Sequence, residues 1–351
     1  MTRPDLVLDP RDSRLTSLVP AWDALTESNG GSYFQTGTWG LAWWQHLADR
    51  AETRIAFWTD GSGGLEAVCG VSKVRRPLLR GSGPAVSVWT NTGSGAGAGD
   101  HLGWPALDHR RGHALDWAVA TSTGPVTLSN LAPGQIHGLE AHGFELVDEL
   151  PTLAAPLGDG EAWFPGSNDF RKKLRYAGRQ LDKAGVTLEM VGPDSIDRAL
   201  FTRLLELHAV RSENMGWGTH FDVQRLDFHM ALVAAGTSSR GPMACVARQQ
   251  GEVVGVLYGF RFGNVFSYYQ TGWSRDFVKQ SLGSVLVSTT MEWAAQQGLA
   301  IFDFLRGDDE YKRRFGAEPA TDQTWMLTRG PGGLALKARQ AAVVGRKRRH
   351  R

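Results

Sequence analysis

The sequence predicts an α+β protein with two mixed, mainly antiparallel sheets flanked by helices, one sheet in each half of the chain. Three observations carry this. Alternating apolar segments at 243–249, 253–261 and 265–271 are joined by Gln250-Gly251-Glu252 and Phe262-Gly263-Asn264, connections short enough for antiparallel hairpins. A helical pattern and a further apolar strand, Ala300-Ile301-Phe302-Asp303-Phe304-Leu305, follow them. The first half repeats the same coarse order of helices, strand meander, helix and strand. The expected domains are 1–158 and 159–332, with a basic tail, 333–351, expected to be disordered.

The chain of 351 residues suffices for two domains, and 42% hydrophobic with 21% charged content is that of an ordinary soluble globular protein. No apolar run reaches the ~18 residues of a membrane helix, so no membrane insertion is expected. Met1-Thr2-Arg3-Pro4-Asp5 opens without an apolar signal segment. A formal charge of +2 does not select nucleic acid as a partner. Cys69 and Cys245 are too few and too far apart for a disulfide framework or a zinc site; they read as buried thiols. No metal is expected, and the expected location is cytoplasmic.

In chain order, Leu15, Leu18, Val19, Trp22 and Leu25 mark a first helix ended by Asn29-Gly30-Gly31-Ser32. A second helix through Leu41, Trp43, Trp44 and Leu47 has Thr38 as its expected cap. Strands at 54–59 and 65–75 pair across Asp60-Gly61-Ser62-Gly63-Gly64. A strand at 86–90 leads into Thr92-Gly93-Ser94-Gly95-Ala96-Gly97-Ala98-Gly99, which reads as a surface loop in preference to a phosphate cradle. A cradle needs a helix to begin at once, and Leu102-Gly103-Trp104-Pro105 intervenes. Helices at 112–120 and 136–143 flank a strand at 126–128, and Gly143 closes the second helix. Residues 144–153 lead into a linker at Pro156, Gly158, Asp159 and Gly160.

The second half opens with a helix that Ser167 can cap and Gly185 can end. One face holds Phe170, Leu174, Ala177 and Leu181. The other carries six basic residues, Arg171, Lys172, Lys173, Arg175, Arg179 and Lys183. That face is either simply solvated or a surface for an anionic substrate or tRNA phosphate. After a strand at 186–191, a helix at 195–211 ends in His208 and Arg211, just before Asn214-Met215-Gly216-Trp217-Gly218. A helix at 228–235, the three-strand meander, a helix, a strand and a last strand at 324–328 complete the expected second domain.

Gln280-Ser281-Leu282-Gly283-Ser284-Val285 opens the helix after the meander. Its first N–H groups and its dipole suit an anion such as a pyrophosphate, and Ser281 and Ser284 add hydroxyl donors. A plain helix start is the other reading. The order of elements around it resembles the GNAT acyltransferase superfamily, whose coenzyme A motif is Gln/Arg-x-x-Gly-x-Gly/Ala; here Val285 stands at the last position. A closer resemblance is to the two-domain branch with a BioF2-like or CelD-type acetyltransferase domain, related to the Fem aminoacyl transferases. It rests on Phe34-Gln35-Thr36 with Trp39, on His208-x-x-Arg211 before Gly216-Trp217, and on Tyr269-Gln270-Thr271-Gly272-Trp273. Its most specific part is Phe302-Asp303-Phe304-x-Arg306-Gly307-x-x-x-Tyr311-Lys312-x-x-Phe315-Gly316.

The resemblance implies two GNAT-like domains, the first either ligand-binding or a degenerate structural copy. It also implies transfer of an acyl group from an activated carrier to an amine, with acetyl-CoA or another acyl-CoA as co-substrate. The donor-binding candidates are Gln280, Ser281, Leu282, Gly283, Ser284 and Gly272. The acceptor-binding candidates are His208, Arg211, Trp217, Tyr269 and Arg306. Tyr311 can protonate the leaving thiolate, its reference pKa of about 10 lying near the thiol's roughly 8.5. Lys312 can stabilise negative charge or hold an anionic substrate, and Asp303 can orient the amine or act as base. The plainer reading is an Asp303–Arg306 ion pair and Tyr311–Phe315 helix packing. The favoured function is N-acyl transfer, acetyl transfer first, to a small polar or sugar-linked amine. The alternatives are Fem-like transfer from aminoacyl-tRNA, with tRNA as a partner, and a non-catalytic binding protein.

Overall fold

The structure, a computed structural model, describes residues 3–48, 52–78, 84–95, 99–158, 163–214 and 221–349. They form two compact units, Met1–Leu150 with Thr321–Arg351, and Pro151–Ala320. In chain order the elements are β1 (Leu6–Leu8), α1 (Arg14–Ser28), α2 (Gly37–His46), β2 (Glu52–Thr59), β3 (Leu65–Pro77), β4 (Ala85–Asn91), α3 (Asp108–Thr121), β5 (Val126–Leu131) and β6 (Glu145–Pro156). There follow α4 (Asn168–Lys183), β7 (Val186–Val191), α5 (Arg198–Asn214), α6 (Leu226–Ala234), β8 (Gly241–Gln249), β9 (Glu252–Phe262) and β10 (Val265–Trp273). The last are α7 (Leu282–Gln296), β11 (Ile301–Arg306), α8 (Glu310–Arg314), β12 (Glu318–Leu327) and α9 (Gly330–Arg349).

The two sheets share one plan. In the first unit β1, β2, β3 and β4 are antiparallel neighbours, β4 runs parallel to β5, and β5 is antiparallel to β12. In the second, β7, β8, β9 and β10 are antiparallel neighbours, β10 runs parallel to β11, and β11 is antiparallel to β6. A parallel pair needs a crossover, and α3 and α7 supply it. The fold class is therefore α+β with mixed, mainly antiparallel sheets, as expected.

Each sheet takes its sixth strand from the far side of the sequence. The expectation that 324–328 closes the second sheet is corrected: residues 323–327 of β12 pair with 126–131 of β5. Trp325 is buried there with Val126 and Leu128. The second sheet is closed instead by 152–156 of β6, whose Leu153 and Ala155 share a core with Phe302 and Phe304. Apolar matching decides both choices, so the units divide near 150 and 320 rather than at 158 and 332.

Smaller differences have local causes. Thr36, not Thr38, caps α2, accepting from the Trp39 amide at 3.1 Å, while the Thr38 hydroxyl donates to Asp23 Oδ2 at 2.6 Å. The expected helix at 136–143 is reduced to the turns Pro133–Gln135 and Glu140–His142, and Gly143 ends it at φ 80°. The Gly-rich tract is not a surface loop where it is described: Thr92, Ser94 and Asp100 are buried, and a Cβ on Gly99 would strike the Phe34 ring carbons. The tail expected to be disordered forms α9, because Leu336 is buried with Val88 and Met326, and Lys337 pairs with Glu145.

In the second unit, α4 and α7 cover one sheet face through Phe170, Leu174, Leu181, Leu286 and Met291, and α5 covers the other. Ser167 caps α4 by accepting from the Phe170 amide at 3.2 Å, as its sequence suggests. Burial pushes the Cys69 thiol well above its ordinary value and that of Cys245 up to about 12, so neither is a ready nucleophile. Among the described residues no helix is long and apolar enough to cross a membrane.

Candidate active site

β10 and β11 pair only over 265–267 with 301–303. Beyond that, β10 follows β9 as far as Trp273, whereas β11 kinks at Leu305, where φ is 56°, and follows β6. A cleft of about 260 Å³ opens beside β10. Tyr268, Thr271 and Trp273 of β10, Ser281, Gly283 and Ser284 at the start of α7, and Tyr311 of α8 line it.

A β-bulge selects which β10 side chains reach this cleft. The register slips between Tyr268 and Gln270, so strict alternation is broken and Tyr268, Thr271 and Trp273 all border the same space. Tyr269, expected to bind acceptor, is half-buried and packs among Phe221, His229 and Phe260, with ring centroids 5.4–6.0 Å away. Thr271 and Trp273 stand in the strand-end motif quoted above without a role of their own, and Tyr268 was not singled out. The strand was visible, but its bulge had no glycine or proline to announce it.

At the head of α7, Ser281 has φ 55° and ψ 39° and makes no side-chain cap bond, so its exposed side chain is not spent on the helix. Leu282 is fully buried and fixes the helix start. Gly283 is required by close approach, since a Cβ there would lie 2.6 Å from Trp273 Nε1. Val285 is buried in the core and does not border the cleft, so the departure from the coenzyme A motif leaves the opening clear. Gln280 is half-buried, and its Oε1 is buried with no hydrogen-bond partner among the described residues.

Gly272, expected to bind the donor, faces α5. A Cβ there would lie 2.5 Å from the His208 amide nitrogen and 2.8 Å from the Leu207 carbonyl carbon. We expect Gly272→Ala to destabilise the protein by about 2–3 kcal/mol in urea unfolding, because backbone cannot yield as a side chain can. An unchanged midpoint would mean that α5 does not lie this close. His208 is buried, with Nδ1 3.1 Å from the Thr271 carbonyl, and so braces the cleft strand from behind. Arg211 falls within α5, and Trp217 lies outside the described residues.

The three expected catalytic residues occupy distinct settings. Tyr311 is half-buried at the cleft, with its ring 6.4 Å from that of Phe304. Lys312, only 4% exposed, turns inward. Its Nζ lies 3.3, 2.5 and 3.2 Å from the carbonyls of Phe304, Arg306 and Gly307, and 3.3 Å from Asp309 Oδ2. Asp303 is buried, and its Oδ1 accepts from the Leu305 amide at 2.8 Å, holding the kink of β11. Arg306 is exposed, and its carbonyl is one of the oxygens that Lys312 gathers. His229, which no sequence pattern singled out, is wholly buried, and burial and then the Arg225 charge lower its pKa to about 3.

The site is a cleft bordered by β10, by the start of α7 and by a half-buried tyrosine on the next short helix. Residues 168–313 match the family model of the acetyltransferase (GNAT) domain, and the chain carries a GNAT-type domain over that stretch. No curated protein sequence matches the chain. Among solved structures, FemX is similar over 88% of this chain and 96% of its own, with a TM-score of 0.63 and 14% identity. The C-terminal domain of a lysylphosphatidylglycerol synthetase from Agrobacterium fabrum is similar over 94% of this chain and 97% of its own (TM-score 0.59, 11% identity). The L-PGS of Bacillus licheniformis is similar over 93% and 96% (TM-score 0.55, 14% identity). At these identities the likeness is one of fold.

Proposed function

We propose that the chain is a cytoplasmic N-acyltransferase that moves an acyl group, acetyl first, from acyl-CoA to the amine of a small polar or sugar-linked acceptor. The observation that carries this is one cleft bordered by both the α7 start and Tyr311. The first N–H groups of α7 and its dipole would take the pyrophosphate, with the Ser281 and Ser284 hydroxyls beside them. The acyl carbonyl would then lie along β10. The amine nitrogen attacks the carbonyl carbon, the C–S bond breaks, the thiolate leaves with a proton from Tyr311, and the proton shed by the new amide nitrogen returns through water to the Tyr311 oxygen. Lys312 and Asp303 act in this reading as positioning residues: they shape 303–309 and so aim α8.

Tyr311→Phe should lower turnover at least tenfold while leaving the melting temperature unchanged. Full activity in that variant would remove Tyr311 from the mechanism. Acetyl-CoA should raise the melting temperature of the wild type. Stabilisation by charged tRNA alone would favour the second reading, transfer of an aminoacyl group. That reading draws on the lysyl product named for one similar structure and on the exposed basic face of α4, where Tyr176 is 59% exposed beside Arg179.

We further propose that the first unit is a structural copy. Its β4–β5 pairing ends at Thr90 and Thr127, where the second unit has its cleft. There the Leu102 amide donates to the Asn130 carbonyl at 2.7 Å, the Ala132 amide to the Leu102 carbonyl at 2.9 Å, and Ala106 bridges to Ala67. The chain's own backbone takes the space a donor would need.

A further inference from the structure

We infer that Arg225 anchors an anionic group, a carboxylate or a phosphate, on the acceptor whose amine is acylated. The inference rests on the acyl-transfer reading of the cleft and names the acceptor's chemical class. Arg225 ends the turn Val223–Arg225 ahead of α6 and is 9% exposed. A guanidinium cannot give up its proton, so one buried this far needs an anion beside it. The fold provides a poor one. The carboxylate partner, Asp222, is 3.6 Å away, beyond hydrogen-bond reach, and its Oδ1 accepts from the Gln224 amide at 3.1 Å. Asp227 is paired with Arg198 at 2.8 Å. His229, one helical turn further, is kept neutral by burial and carries no balancing charge. Arg225 Nε is sealed and has no hydrogen-bond partner among the described residues, while 11% of the side chain stays open to a ligand.

Packing ties this arginine to the cleft strand. Phe221, four residues before it, has its ring 5.5 Å from that of His208 and 6.0 Å from that of Tyr269. His208 reaches the Thr271 carbonyl, and Thr271 borders the cleft. His229, four residues after Arg225, stacks on Phe201 of α5 at 4.9 Å and lies 5.5 Å from Tyr269. The head of α6, α5 and β10 thus form one packed wall, and Tyr269 is half-buried, so the wall has an opening at β10. In the proposed reading the donor lies against α7, which covers the opposite sheet face. The amine then approaches the acyl carbon from the α5 face, with the rest of the acceptor extending towards Arg225. A carboxylate and a phosphate present the same pair of oxygens to the guanidinium fork.

Two measurements on the full chain test this. In thermal unfolding at constant ionic strength, malonate or inorganic phosphate should raise the wild-type melting temperature by about 3 °C or more over chloride. Arg225→Met should lose that gain, and Arg225→Lys should keep part of it. Without added anion, Arg225→Met should melt higher than wild type, because an apolar side chain removes an ill-matched buried charge. Acetyl-CoA should stabilise wild type and Arg225→Met equally. In acetyl transfer, O-phosphoethanolamine should react at least about tenfold faster than ethanolamine, or β-alanine than β-alaninamide, and Arg225→Met should lose the preference. The pair that responds tells phosphate from carboxylate. Equal wild-type melting in all three anions, or an Arg225→Met protein less stable than wild type, overturns the anchor; stabilisation by acetyl-CoA then leaves the transfer reading intact. Equal rates within each pair overturn its role in acceptor binding. Anion stabilisation that Arg225→Met loses, with none from acetyl-CoA, keeps the anchor and removes the acyl-CoA donor.

Discussion

Lys312→Ala should lower stability by about 2–4 kcal/mol, and acyl transfer should fall with it. Lys312 Nζ is the common partner of three carbonyls from a loop that turns through Gly307 at φ 104°, and these oxygens would otherwise point at one another. Each buried acceptor left unmatched costs about 1–3 kcal/mol, and water admitted to the cavity recovers part of it. Lys312→Met, which keeps the volume and loses the charge, should fare little better. Asp309→Asn should change stability by less than about 1 kcal/mol, since that carboxylate is 42% exposed. Urea unfolding and steady-state rates on the same preparations decide the matter. A Lys312→Ala protein as stable as wild type but inactive would return the residue to direct chemistry.

His229 should make the protein acid-sensitive well above the usual carboxylate range. Its folded pKa, about 3, lies below the unfolded value of about 6.5, so the unfolded chain binds the proton more readily between these two values. The stability this neutral histidine contributes is fully present above pH 6.5 and drains away as pH falls towards 3. The slope from this one group is about 1.4 kcal/mol per pH unit. Packing explains the low value: the ring stacks on Phe201 at 4.9 Å, its Nδ1 meets the Tyr258 hydroxyl at 3.3 Å, and its Nε2 has no partner among the described residues. His229→Leu should be less stable than wild type at pH 7.5, and the gap should narrow steadily towards pH 4.5. A constant gap across that range would show that His229 is not buried neutral.

Much of the second sheet was legible because its signals are local. Gly251 and Gly263 adopt φ 87° and 54° in their hairpins, as the tight connections required. Val285, Leu286 and Met291, apolar at the head and middle of the expected helix, are buried on α7. Ser281, Gly283, Ser284 and Tyr311, named from sequence, do line one cleft. The rest depended on distant partners. The bulge after Tyr268 reverses which of two adjacent tyrosines reaches the cleft, and side-chain type cannot distinguish them. Lys312 sits among charged neighbours that suggest exposure, yet its inward turn follows from carbonyls set by the kink at Leu305. His229 is buried by rings gathered from several separate segments, which no window of sequence displays together.

The exchange of final strands sets the timetable of biosynthesis. Residues 126–131 leave the ribosome well before their antiparallel neighbour, 323–327. Until then the first sheet has an unpaired edge, the kind of surface that recruits other chains. The long loop to be closed also makes this docking a slow, late event.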